Sequence, residues 1–409
     1  MRVSFRFLSA AVLALVLAGC SNDRVRIVVP PLSAVVLSVD ADTVTVGGTA
    51  QFSATAFDLS SNPVSGVPFI WTSSNSDVFT VSASGRVTAR GEGAANLFVE
   101  AGGQRDTASV LVLPALAGWF VQTSNSARQL NDVFFQSNGR HGCVVGNTGE
   151  ILVTYDAGET WQRQSSGTVF NLNAVWFVSD STGWAVGGNG TALRTVTGGR
   201  TWTLIPTGSS DNLMDVYFAD PGTGWAVGSN GTVLTTTSGG SSWLKQNPTP
   251  NTLNGVSFAG TSNGWAVGNG GVILGSHDGG VTWFTVQPAV TALALNAVWR
   301  RSEVRAYAVG AAGAAPRTIA TVDSTAWELR TAGAANNLND VTFVSDSRGW
   351  AVGDNGGGIV RVSSDGGITW NPQTAPAGSN LRGVYFVDGL RGWAVGDNGR
   401  ILHTGTGGD

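Results

Sequence analysis

Between residues 118 and 409, apolar and polar positions alternate in short runs that belong to one returning phrase. The phrase opens on "LNDVFF" (130–135) and returns as "LNAVWF" (172–177), "LMDVYF" (213–218), "LNGVSF" (253–258), "LNAVWR" (295–300), "LNDVTF" (338–343) and "LRGVYF" (381–386). Successive starts lie 42, 41, 40, 42, 43 and 43 residues apart. A second run, "GWAVG", recurs at 183–187, 224–228, 264–268, 349–353 and 392–396. Looser copies hold Cys143 ("GCVVG", 142–146) and Tyr307 ("AYAVG", 306–310) at the Trp position. A third run such as "GTVLTT" and a fourth led by "TW" complete each unit. No 3.6-residue periodicity accompanies these runs, so each is read as a β-strand.

Four strands in about 42 residues is the size of a β-propeller blade. Fourth-strand tryptophans occur at Trp161, Trp202, Trp243, Trp283, Trp327 and Trp370, one fewer than the seven starts. The chain ends at "TGTGGD" (404–409), before the seventh is due, while Trp119 in "GWFVQTS" (118–124) parallels "TWQRQSS" (160–166). The front strand is therefore expected to complete the last blade, leaving no open edge. The expectation is an all-β chain whose residues 115–409 form a seven-bladed propeller closed by its N-terminal strand.

Residues 33–114 alternate with the two-residue period of strands but carry no repeat. The runs "AVVLSVD", "TAQFSATAFD", "PFIWTSS", "DVFTVSA", "GRVTARG", "AANLFVEA" and "TASVLVLP" are separated by Gly, Asn and Ser turns and predict a β-sandwich of immunoglobulin type. The phrases "VGGTAQFSATA" (46–56) and "WTSSNSDVFTVSASGRVTARGEG" (71–93) resemble the bacterial Ig-like group 2 family. That resemblance implies a core position for Trp71 and a spacer or adhesive role; no feature of the segment marks a site, so a spacer is expected.

The first residues follow a different pattern. Arg2 and Arg6 precede the apolar run "FLSAAVLALVLAG" and Cys20, the layout of an export signal too short to span a bilayer. The ending "LAGC" resembles a bacterial lipobox, which implies cleavage after residue 19 and acylation of Cys20. Residues 20–32 then form a tether of ~40 Å reach when extended. Ser21, rather than Asp, after the anchor points to the outer membrane of a two-membrane envelope. The only other cysteine, Cys143, fills a Trp slot and is read as a buried hydrophobe, so no disulfide is expected.

Composition narrows function. The net charge is −4, falling to −6 once Arg2 and Arg6 leave with the leader; Lys245 is the only lysine, and no basic run exists. Nucleic-acid binding is excluded on that ground. The turns "TYDAGETW" (154–161), "SHDGGVTW" (276–283) and "SSDGGITW" (363–370) resemble the Asp-box of sialidases and other propellers. Asp156, Asp278 and Asp365 are accordingly read as turn-forming residues that bond to neighbouring amides.

Asp-box turns combined with "GWAVG(D/S)NG" and "DGGxTW" resemble the photosystem II stability/assembly factor family across 118–409. The resemblance implies a propeller that binds or assembles proteins, without securing any functional residue. A sialidase-like, glycan-binding or glycan-hydrolysing propeller is the alternative, but it needs convergent arginines and a Tyr–Glu pair. Tyr155, Tyr217, Tyr307 and Tyr385 all sit in repeat slots, and no glutamate is tied to one by spacing. His141, His277 and His403 lack ligand spacing, so neither metal nor cofactor is expected.

Two departures from the repeat remain as candidate sites. Asp132, Asp215 and Asp340 occupy a first-strand position that is Gly or Ala elsewhere, and they are expected to face the central channel. The fifth unit carries Arg300, Arg301 and Arg305 in "RRSEVRA" (300–306), with Arg317 nearby, a candidate patch for an acidic partner. The reading is a monomeric, non-enzymatic lipoprotein of the bacterial cell envelope that binds a protein or glycan partner.

Overall fold

The structure is a computed structural model describing residues 31–39, 43–91, 93–113, 118–287, 289–302, 305–315, 317–318, 326–333, 336–354 and 358–409. It divides into two compact units, one ending at Pro114 and one running from Ala115 to Asp409. Cys20 and the leader lie outside the described residues.

The first unit holds two sheets. One orders Leu32–Val39, Thr49–Asp58, Arg86–Ala89 and Phe79–Val81, with Pro63–Val64 beside the second of these. The other orders Thr43–Thr45, Gln104–Leu113, Gly93–Ala101 and Ile70–Ser73. Alternate residues turn inward, so Phe52, Phe79 and Val87 from the first sheet meet Leu97 and Val110 from the second in one core. Trp71 packs against that core half-buried rather than at its centre.

In the second unit each phrase becomes a four-stranded antiparallel sheet, and the described residues form seven of them. In the sheet that starts at Leu172, the strands are Leu172–Phe177, Gly183–Gly187, Ala192–Thr195 and Thr203–Leu204. The last sheet comprises Leu381–Phe386, Gly392–Gly396 and Ile401–Thr404, and its fourth strand is Phe120–Gln122 from the front of the unit. Each first strand contacts the first strand of the next sheet, and Leu381–Phe386 contacts Leu130–Phe135. The architecture is that of a β-propeller.

Packing explains why "GWAVG" is repeated. The Trp of one sheet stacks flat on the Phe that ends the first strand of the next: Trp184 on Phe218, Trp225 on Phe258 and Trp350 on Phe386, each with centroids 3.6 Å apart. Tyr307 meets Phe343 in the same way. The fourth-strand Trp then meets that Phe edge-on, as Trp243 does at Phe218 and Trp119 at Phe386. Offset and T-shaped pairs of this kind add about 0.5–1.5 kcal/mol beyond area burial. The glycines give room: a Cβ at Gly183 would lie 2.5 Å from the Phe177 ring, and one at Gly187 only 1.9 Å from the Asn171 carbonyl oxygen.

Candidate functional site

The seven first strands line a central channel that encloses a cavity of about 130 Å³. An innermost strand is a sheet edge, so its inward amides lack a partner strand. A register shift near the start of each first strand, such as that between Leu130 and Asp132, marks the same position in every sheet. The three candidate aspartates stand there.

Each aspartate serves two sheets. Asp132 accepts the Val133 amide on Oδ1 (2.7 Å) and the Val175 amide of the next sheet on Oδ2 (2.8 Å). Asp215 does the same for Val216 and Val256. Asp340 does so for Val341 and Val384. The receiving sheets carry Ala174, Gly255 and Gly383, and a Cβ at Gly383 would come within 2.9 Å of the Asp132 backbone. Three carboxylates thus satisfy six sheets, and the fifth, with Ala297, receives none among the described residues. All three line the cavity, and backbone amides are their partners.

Burial sets their charge. It pushes Asp215 and Asp340 up to about 7, against the amide bonds that favour the ionised form. Asp132 is raised well above the usual carboxylate range by burial and by the neighbouring Asp340.

Two further rings were not singled out in the sequence. At one mouth, Asn131, Asn173, Asn254, Asn296 and Asn339 each donate Nδ2 to the Leu carbonyl that begins the next sheet, at 2.7–2.8 Å. Met214 and Arg382 take this slot in the remaining two sheets, and Arg382 pairs with Asp397 and Asp354. At the other end, Phe134, Trp176, Tyr217, Trp299 and Tyr385 converge. Trp176 and Trp299 lie 6.0 Å apart, and Phe134 and Tyr385 4.7 Å. The signal was the fifth residue of each opening phrase, aromatic in five of seven copies.

The Asp-box carboxylates bond within their own turns. Asp278 accepts the Thr282 amide and hydroxyl and the Ser276 hydroxyl, and the Thr282 bonds hold its carboxyl down at about 2. Asp156 and Asp365 make the equivalent bonds to Thr160 and Thr369, which outweigh partial burial and leave both carboxyls lowered.

The arginines of the fifth unit do not share one exposed patch. Arg300 occupies the Phe slot of "LNAVWR" and is buried, with its guanidinium 6.0 Å from the Trp265 ring centroid. It takes the place where the other sheets stack Phe on Trp. Arg301 is exposed and Arg305 half-buried, and the side chain of Arg317 lies outside the described residues. Cys143 is a buried free thiol, and burial pushes it upward. Among the described residues, no group of three or more His, Cys, Asp or Glu is placed to hold a metal ion.

The repeated sheets, Asp-box turns and plugged channel define a propeller of the BNR type. The family model of photosynthesis system II assembly factor YCF48 matches residues 114–210, 201–291 and 319–409, and the chain belongs to that family. Among solved structures, YCF48 bound to D1 peptide aligns with a TM-score of 0.59 at 22% identity, covering 72% of this chain and 97% of that one. YCF48 from Cyanidioschyzon merolae gives 0.59 at 23% identity, with coverage of 70% and 98%. A GH74 xyloglucanase from Xanthomonas campestris gives 0.57 at 14% identity, with coverage of 71% and 54%. At these identities the likenesses show the fold. No curated protein sequence matches the chain.

Proposed function

We propose that this protein is a non-enzymatic, protein-binding assembly scaffold of the bacterial cell envelope, whose seven sheets are the seven blades of a closed propeller. Its first unit is an immunoglobulin-like spacer, and a lipid on Cys20 anchors the chain. Membership of the YCF48 family carries the reading, and the bound state of one relative, with D1 peptide, supports a polypeptide partner. The channel supports it too. Both oxygens of each buried carboxylate accept backbone amides, and aromatic rings fill one end, so these aspartates act as staples between sheets. The "LAGC" motif supports the anchor and, with Ser21, an outer-membrane location. The protein is taken as a monomer.

The test is in-cell crosslinking followed by affinity capture from envelope extracts, with the Cys20→Ser variant alongside. The reading expects defined protein partners and a variant released into the soluble fraction. Recovery of a shortened glycan in place of a protein would overturn the scaffold reading in favour of a glycan-processing propeller. A variant that still pellets would remove the lipid anchor.

A further inference from the structure

The loop that joins the sheet starting at Leu130 to the next one breaks the repeat in a way packing does not explain. The two residues at the third and second positions before each opening Leu are Ala127 and Arg128, Ser210 and Asp211, Pro250 and Asn251, Ala292 and Leu293, Ala335 and Asn336, and Gly378 and Ser379. Only here are both bulky and apolar: Val169 is 79% exposed and Phe170 44% exposed.

The loop is held in place. The Ser166 hydroxyl bonds the Thr168 carbonyl, the Thr168 hydroxyl accepts the Phe170 amide at 3.1 Å, and Asn171 accepts the Thr148 amide at 2.9 Å. Val169 and Phe170 therefore form a fixed ridge, and a preorganised surface loses little freedom on binding.

A groove of about 580 Å³ runs along each side of this ridge. The inner groove reaches Asn173 and Met214, which also line the channel mouth. The outer one is walled by the exposed Leu204 and by Arg128 and Arg163. Both guanidinium groups bond the wholly buried carboxylate of Glu150, Arg128 at 2.7 Å and Arg163 at 2.8 Å, while 45% and 53% of their own side-chain surface stays open. Two cations share one anion, so one positive charge stays uncompensated beside the apolar ridge.

We infer that this loop face is the docking site for an extended polypeptide segment, with an apolar side chain seated against Val169 and Phe170 and an acidic residue meeting Arg128 and Arg163. The inference rests on the protein-binding reading and names the face and the partner chemistry. The fork of a guanidinium matches a carboxylate in two hydrogen bonds, and a neighbouring apolar anchor supplies the desolvated centre that strong contacts need.

Three labelled synthetic peptides test it by fluorescence anisotropy against the full chain. The first carries leucines flanked by glutamates, the second replaces the glutamates with lysines, and the third replaces the leucines with serines. The first should bind at least about tenfold more tightly than the others, the scale of one good contact. The exposed-site variant Val169→Asp/Phe170→Ser should lose about tenfold of that affinity, and Arg163→Gln should narrow the preference for acid over base. Circular dichroism melting shows that each variant is folded. Equal binding by the variants would overturn the site while leaving the protein-binding reading standing. Binding of none of the three peptides would overturn the proposed chemistry, and envelope capture decides the wider reading independently. Concentration-dependent self-association abolished by the same variants would reassign the ridge to a contact between copies of this chain.

Discussion

Trp393 lies face to face with Phe135, ring centroids 3.5 Å apart and planes 9° apart, so the last sheet of the chain stacks on the first. The Trp393 indole also donates to the Ala157 carbonyl at 3.1 Å, the bond that Trp184 makes to Gly239 elsewhere in the repeat. Both tryptophans are almost fully buried. Trp393→Ala is expected to cost about 3–5 kcal/mol, as large-to-small core changes do. Trp184→Ala should cost a similar amount if the junction between ends equals the internal ones. Denaturant melts of both variants make the comparison, and a much smaller loss at Trp393 would mean that the terminal junction is weak.

The channel aspartates predict an unusual pH dependence. A free aspartate titrates near 3.8, and folding raises Asp215 and Asp340 to about 7. The folded chain therefore binds protons that the unfolded chain has released. The associated stability is complete below the unfolded value and is lost as pH rises through about 7. Every tenfold gain in proton affinity on folding contributes at most about 1.4 kcal/mol. The lowered Asp156, Asp278 and Asp365 act in the opposite direction only in stronger acid. Burial pushes His403 down to about 4 and also lowers His141, so both oppose the aspartates below about pH 6.5 and offset part of their gain. Melting temperature is expected to be higher near pH 5 than near pH 8. Asp215→Asn should be less stable throughout, because an amide group then faces a backbone donor, yet its pH slope should be shallower. A variant slope as steep as the parent's would remove Asp215 from this account.

Much of this arrangement was legible because the repeat is a packing device. The four strands of each unit and the pairing of the Trp119 segment with the last sheet follow from spacing in one dimension. The pairing of Asp132 with Val175 was not legible, since it depends on how far a carboxylate reaches into the following sheet. The small residues have a separate cause: a Cβ at Gly255 or Gly383 would meet the backbone of the following sheet, at Val298 and Asp132. The aromatic plug was hidden for the same reason, because Trp176 and Trp299 come from sheets far apart in sequence and meet only across the channel. Arg300 misled because clustering in sequence was read as clustering on the surface, whereas alternation along its strand sends it between sheets.

Arg300 and Arg301 should accordingly separate by experiment. Arg300→Ala removes a cation over the Trp265 ring and the apolar stem that packs there. A loss of about 1–2 kcal/mol in stability is expected. Arg301→Ala, at an exposed position, should stay within about 0.5 kcal/mol of the parent. Chemical denaturation of the two single variants reads this directly. Equal, negligible effects would return Arg300 to the surface patch.

The front strand offers the sharpest test of how the ends are joined. Phe120–Gln122 runs antiparallel to Ile401–Thr404, with Phe120 opposite His403, Val121 opposite Leu402 and Gln122 opposite Ile401. Trp119 packs edge-on against Phe386 and donates to Gln373 of the adjoining sheet at 3.2 Å. Deleting residues 118–124 would leave Ile401–Thr404 as an unpaired edge and strip the Phe386 ring of one covering face. An exposed apolar edge is a template for pairing with other chains. The truncated chain is therefore expected to aggregate at concentrations where the parent stays dispersed, and to melt earlier and over a broader range. Supplying the missing segment as a separate peptide should restore part of the lost stability, because the slot it fills is already shaped by Phe386 and His403. A truncated chain that melts as sharply and as late as the parent would show that the last sheet does not depend on its borrowed strand.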